Sequence, residues 1–318
     1  MSKQTSASRI EWIDVARGIT IILMVLGHTS IPAFFSNWIW SFHMPFFFFV
    51  AGLTLTTKKY SSFIQYLKHK LQTFLIPFLV FSIINLLLKA WCDSENLLEC
   101  VLTVAKTGWG GIALWFIPVL FLSELSFFYF EKIRNRCVQI TVTILFFVIG
   151  WLFCIYGIQF PWSLSTFFVG AAFLFTGNLL NQQYVGRLIL YCSKPKTAGF
   201  IGLSLLVSGT VISHFWRLDL CSNSVNPIIP LFIGAICGIG FIVIISYHIS
   251  AIDTISNILK YCGRNSFIIL AFSQIFMISI IHLLGHRLFF VRYILMWLLL
   301  IVIIEIINRK MPFIMGKK

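Results

Sequence analysis

Arg17 and His28 stand eleven residues apart in one apolar run, DVARGITIILMVLGHTSIPAFF. At ~3.6 residues per turn this is about three helical turns, so both side chains share a face, ~16 Å apart along the axis. An ionisable side chain inside lipid is costly and faces a cavity, a partner or a substrate. The pair therefore predicts a chemical site within the membrane, with a cation at the inner end and a titratable base near mid-span. Neutral imidazole suits general-base work there, or a plain helix–helix hydrogen bond.

Four further groups carry possible chemistry. Asp14 lies three residues before Arg17 and can pair with it on one helix face. His43, in FHMPFFFFVAG, is placed near the outer end of a second helix, close to His28 across a short hairpin. Pro45 there can open a turn that frees backbone groups to line a cavity. Glu124, the sole carboxylate of the span that follows Trp115, either holds a histidine tautomer or is a protonated structural group. Lys68-His69-Lys70 is a basic cluster that can hold phosphate, bind anionic headgroups or set topology. Glu305 reads as interfacial, and Asn265 or Ser266 as the cap of the ninth span.

The elements that must position these residues follow from composition. Of 318 residues, 59% are hydrophobic and 11% charged, where soluble domains are near one quarter charged. Lipid is the solvent this surface fits, so the chain is expected to be an all-α, polytopic integral membrane protein forming one domain over residues 1–318. Ten spans are expected: 15–35, 37–57, 71–91, 112–130, 138–156, 162–181, 198–216, 227–248, 264–284 and 288–307. Pro77 and Asn85 interrupt the third. Nineteen of the 24 Lys and Arg fall on the inner side if the N-terminus is inside, which predicts both termini cytoplasmic. Residues 1–14 are then a cytoplasmic N-terminal segment and 308–318 a cytoplasmic basic tail. The polar first residues lack a signal-peptide core.

The net charge of +14 is dispersed between apolar runs, so no nucleic-acid partner is expected. Eight cysteines show no CxxC or metal-like spacing, and no metal is expected. Most read as small buried hydrophobes; Cys92 and Cys100 flank an acidic segment where a disulfide is an open option. No internal repeat is evident, which weighs against an inverted-repeat transporter.

These motifs together resemble the membrane-bound acyltransferase-3 family, integral-membrane O-acyltransferases that modify bacterial surface glycans. IDVARGITIILMVLGH is similar to the family's first helix, with its basic residue, ten residues and a histidine; FHMPFFFFVAG resembles the second-helix signature, LWFIPVLFLSEL its Trp-Phe-x-Pro helix, and YLKHKLQTFLIPF the basic segment before helix three. Two departures stand out. The family's inner Arg-x-x-Arg pattern is represented only by Lys70 and Thr73, and Ser273 holds a place where the family often has histidine.

The resemblance implies transfer of an acyl group, acetyl above all, from cytoplasmic acetyl-CoA to a hydroxyl of a cell-surface or lipid-linked glycan, in the bacterial cytoplasmic (inner) membrane among its lipids. Under it, His28 is the general base or a transient acyl carrier, Asp14 orients Arg17, and Glu124 tunes His28 or lines the cavity. Arg17, with Lys68 and Lys70, meets the anionic donor. His43 and Trp115 face the acceptor. The alternative is a transporter or flippase for an acylated or lipid-linked glycan. Acceptor identity and oligomeric state stay open at this level.

Overall fold

Twelve helices and three short 3-10 turns make up the computed structural model, which describes residues 11–93, 98–99, 101–102, 113–285 and 288–315. In chain order they are α1 (Glu11–Gly27), α2 (Ala33–Thr54), α3 (Phe63–Lys70), α4 (Ile76–Asp93), α5 (Phe116–Phe130), α6 (Arg136–Ile155), α7 (Phe167–Tyr191), α8 (Pro195–Phe215), α9 (Ile228–Ile249), α10 (Asp253–Arg264), α11 (Ser266–Leu284) and α12 (Phe289–Lys310). Among the described residues the only β pairing is an isolated bridge between Asp219 and Ser224. Among the described residues, eight helical segments are long and apolar enough to cross a membrane. The chain is an all-α, multi-pass membrane protein.

Caps and breakers set the ends. Asn135 Oδ1 accepts from Cys137 N at 2.8 Å and so caps α6. Ser62 Oγ accepts from Gln65 N at 3.3 Å at the start of α3. Proline opens α8 at its first residue, where its missing N–H costs nothing.

The first two helices are not among the eight. α1 has 17 residues, and α2 carries Ser, Asn, His and Pro within its apolar sequence. Both lie inside the bundle. α2 packs on α7, α9 and α8, while α1 packs on α10, α2 and α9. Glycines bring these backbones together: a Cβ on Gly52 would meet Leu174 O at 1.7 Å, and one on Gly177 would meet Phe49 O at 2.0 Å. The same device joins α1 to α10 through Gly18 and Gly263. Small residues at helix contacts are how lipid-embedded helices approach closely.

The structure revises several expected boundaries. The third segment begins at Phe63, so the basic cluster Lys68-His69-Lys70 is the last turn of α3 rather than a preceding loop. One π turn, Leu71–Leu75, joins α3 to α4. The wide turn lies just ahead of Pro77, whose ring cannot sit over the carbonyl four residues back. Asn85 does not interrupt α4; its amide donates to Phe81 O (2.9 Å) and Ala271 O (3.0 Å), tying α4 to α11. α2 runs unbroken through Pro45, so no turn opens there.

α10 was not expected at all. It is short and amphipathic, with Ser256, Cys262 and Gly263 buried and Ile255 and Ile258 exposed. Asn265 does not cap α11: its amide donates to Tyr261 O and its Oδ1 accepts from Asn308. Glu305 pairs with Arg309 at 2.8 Å and accepts from the Tyr261 hydroxyl at 3.1 Å. The Cys92 thiol faces Ser279 Oγ at 3.5 Å; Cys100 lies outside the described residues.

Candidate functional site

α1 ends at Gly27, so His28 sits at the helix terminus and not at mid-span. His43, expected near a helix end, is at the middle of α2. The two rings still meet, edge to face, with centroids 6.1 Å apart. Their environments differ: His43 is buried (3% exposed) and His28 is open to its cavity.

Each histidine Nδ1 contacts a backbone carbonyl four residues back, Met24 O at 2.8 Å for His28 and Ile39 O at 2.9 Å for His43. A carbonyl oxygen only accepts, so Nδ1 of each ring carries the hydrogen. In a neutral ring this leaves Nε2 with its lone pair. Backbone carbonyls, not Glu124, therefore hold both tautomers.

Around the two rings lies a cavity of ≈ 200 Å³, lined by Met24, Trp40, Trp115, Asp219, Cys221 and Gln274 among others. The Trp40 ring is 5.1 Å from His28 and 5.7 Å from His43, and its Nε1 donates to Gly27 O at 3.1 Å. The Arg217 guanidinium lies 4.4 Å over the Trp40 ring. His28 feels the Asp219 carboxylate and the Arg217 guanidinium with opposite sign. The Asp219 carboxylate accepts from Cys221 N at 2.9 Å, which fixes the loop between α8 and α9. Gln274 Oε1 accepts from Ala113 N at 2.9 Å and anchors the turn that presents Trp115.

A second cavity of ≈ 280 Å³ lies toward the other end of the same helices. Arg17, Phe47, Phe116, Glu124 and Ser266 are among its lining residues. Adjacent residues face opposite chambers: Trp115 the histidine cavity, Phe116 the Arg17 cavity. The partition between them is aromatic. Phe116 is 6.0 Å from Phe47 and 6.2 Å from Trp115, both edge-on.

The expected site residues thus divide. His28, His43 and Trp115 share one chamber; Arg17 and Glu124 share the other. The Lys70 ammonium pairs with the Glu124 carboxylate, with both side chains under 10% exposed, and lies 5.4 Å from the Tyr66 ring centroid. Lys68, two residues away, is exposed on another face of α3. Asp14 is at the far end of α1 from His28, buried, with its Oδ2 3.2 Å from Arg264 Nε.

Trp40, Arg217, Asp219 and Gln274 were not singled out from the sequence. Trp40 had a visible signal, since it lies one turn before His43 on the same helix face. Arg217 and Asp219 are the only charged residues of the segment between α8 and α9.

No curated protein and no solved structure gives a significant match. The acyltransferase domain model of the acyltransferase-3 family matches residues 10–307, a stretch that contains both chambers and every helix contributing to them, and the chain belongs to that family.

Proposed function

We propose that this acyltransferase moves an acyl group, acetyl first among the candidates, from cytoplasmic acyl-CoA to a hydroxyl of a cell-surface or lipid-linked glycan. The setting is a bacterial cytoplasmic membrane, with both termini inside and α1 and α2 completing ten spans. The observation that carries the reading is the end-to-end pairing of two chambers, one with a cation and one with two imidazoles, across a single aromatic layer.

Arg17 and the Lys70–Glu124 pair give the inner chamber a polar wall within apolar surroundings. At ≈ 280 Å³ it suits an acyl-pantetheine arm better than a nucleotide, because drug-sized ligands occupy about 300–1,000 Å³. Exposed Lys68 lies toward the same end and is available to the donor phosphates. Phe47 and Phe116 are the side chains the thioester end must pass.

In the histidine chamber, His28 Nε2 takes the proton from the acceptor hydroxyl as its oxygen attacks the thioester carbonyl. The new C–O bond forms, the C–S bond breaks, and the imidazolium returns the proton to the departing thiolate. Asp219 stabilises the imidazolium while it exists. Trp40 and Trp115 offer flat apolar faces to a sugar ring. His43, buried behind His28, holds the second lone pair and positions the first ring.

The test is release of CoA thiol from acetyl-CoA by the purified protein in nanodiscs, with a panel of glycan acceptors and His28→Ala alongside. Acceptor-dependent release that falls about 10²–10⁴-fold in the variant is expected. A folded protein that moves a labelled glycan across liposomes without releasing thiol would instead establish the flippase alternative.

A further inference from the structure

A third cavity shares no lining residue with either chamber. It is a groove of ≈ 630 Å³ on the outside of the bundle, between α6, α7 and the start of α9. Its floor is one face of α6: Ile140, Ile144, Phe147, Val148 and Trp151 recur at helical spacing. Ile140 to Trp151 is eleven residues, or ~16 Å, comparable with the ~15 Å half-thickness of a bilayer's hydrocarbon.

One turn before Ile140 on the same α6 face is Arg136. Its guanidinium donates to Leu179 O at 2.5 Å, and Leu179 is itself a groove residue. The same guanidinium lies 5.2 Å from the Tyr184 ring centroid, and that of Arg187 lies 5.6 Å from it. Two exposed cations thus converge on one aromatic ring at the groove's end.

A backbone irregularity lies beside this convergence. Asn181 interrupts α7 with φ 21° and ψ 174°, a conformation costing about 1–3 kcal/mol. Its side chain accepts from Gln183 N (2.9 Å) and Tyr184 N (3.3 Å), so it caps a new helical stretch. The N-terminal end of that stretch, with its partial positive charge, therefore lies beside Arg136. Tyr184 and Arg187 follow the kink, and both guanidiniums lie within 6 Å of the Tyr184 ring.

We propose that this groove is a binding site for an anionic phospholipid of the cytoplasmic leaflet, its phosphate on Arg136 and Arg187 and an acyl chain along α6. Charge complementarity selects the occupant. A neutral lipid or a second apolar helix fills the groove equally well but leaves two guanidiniums and a helix N-terminus without an anion. The basic end is also the end that the Lys and Arg distribution assigns to the cytoplasm. The site is independent of the acyl-transfer reading.

Trp151, in the groove, provides the readout. The full chain in mixed micelles is titrated with brominated-chain phosphatidylglycerol or phosphatidylcholine, and the quenching lost on Trp151→Phe is taken as the groove signal. Tighter apparent binding of phosphatidylglycerol, by about tenfold or more, is expected. Arg136→Gln with Arg187→Gln should remove the difference while leaving quenching by both lipids. Ile144→Phe, which fills the floor without adding an indole, should weaken both. Equal affinity in the wild type, selectivity retained in the arginine variant, or a disulfide-linked dimer formed by an Ile144→Cys variant would overturn the proposal. Unchanged elution volume and thermal transition identify variants that are folded.

Discussion

His28 and His43 meet edge to face at 6.1 Å, each with Nδ1 committed to the carbonyl four residues behind it. Both Nε2 atoms are therefore potential bases, and both rings line the cavity, but His28 is exposed and His43 is buried. Replacing His28 by Gln should reduce turnover about 10²–10⁴-fold with little change in donor KM. His43→Gln preserves a donor to Ile39 O and removes the buried ring beside His28, so a loss smaller than that of His28→Gln is expected. Steady-state kinetics on the two variants decide the order; equal losses would mean that the rings act as one unit.

The Lys70–Glu124 pair is almost fully buried. Removing one partner strands a charge, which costs about 3–5 kcal/mol in buried pairs. Glu124→Ala should therefore lower the thermal transition sharply. Lys70→Met combined with Glu124→Leu should recover most of it, since an apolar pair of similar volume replaces both charges. Donor affinity should not return in the double variant if the pair also forms the donor wall. Differential scanning fluorimetry with a donor-binding titration separates these effects.

Two glycines make opposite predictions. A methyl on Gly52 would lie 1.7 Å from Leu174 O, a backbone atom that cannot rotate away. Gly52→Ala should separate α2 from α7 and destabilise by at least about 1–3 kcal/mol. Gly199, in α8, has nothing within 4 Å of an added Cβ. Gly199→Ala should be neutral or stabilising by up to about 1 kcal/mol, from helix propensity alone. Thermal transitions of the two purified variants test the pair.

How much of this could be read from the chain depends on the range of each contact. The shared face of Arg17 and His28 follows from local helical geometry, and so does the division of α1 into a cation end and a base end. His28 moved from mid-span to a terminus because two residues, Thr29 and Ser30, with Pro32 beyond them, end α1 earlier than its apolar run does. Asp14 has a near neighbour in Arg17, but the ion pair to Arg264 spans 250 positions, and no periodicity announces it. Asp219 reaches the histidines only because α8 and α9 return the loop between them to the mouth of α1. α10 escaped because twelve residues of near-neutral hydropathy cannot span a bilayer, although Ile255, Leu259 and Cys262 recur at helical spacing.

Cys221 gives a chemical test of the chamber that needs no substrate. It lines the histidine cavity from the loop between α8 and α9, beside Ser163 Oγ at 3.7 Å. Burial pushes its thiol up to about 11, with the Asp219 carboxylate acting in the same direction. The thiolate is the reactive form, so at pH 8 only about one thiol in a thousand is reactive. Alkylation of Cys221 should therefore be slow at pH 8 and rise roughly tenfold per pH unit until the pH approaches 11. Asp219→Asn removes a like charge from beside the thiolate and should speed labelling at fixed pH. Exposed Cys137, on α6, should label first. Peptide mass mapping after timed alkylation gives each rate. A Cys221 that labels as fast as Cys137 at pH 8, with no acceleration in Asp219→Asn, would mean that the loop does not close over the histidines as described.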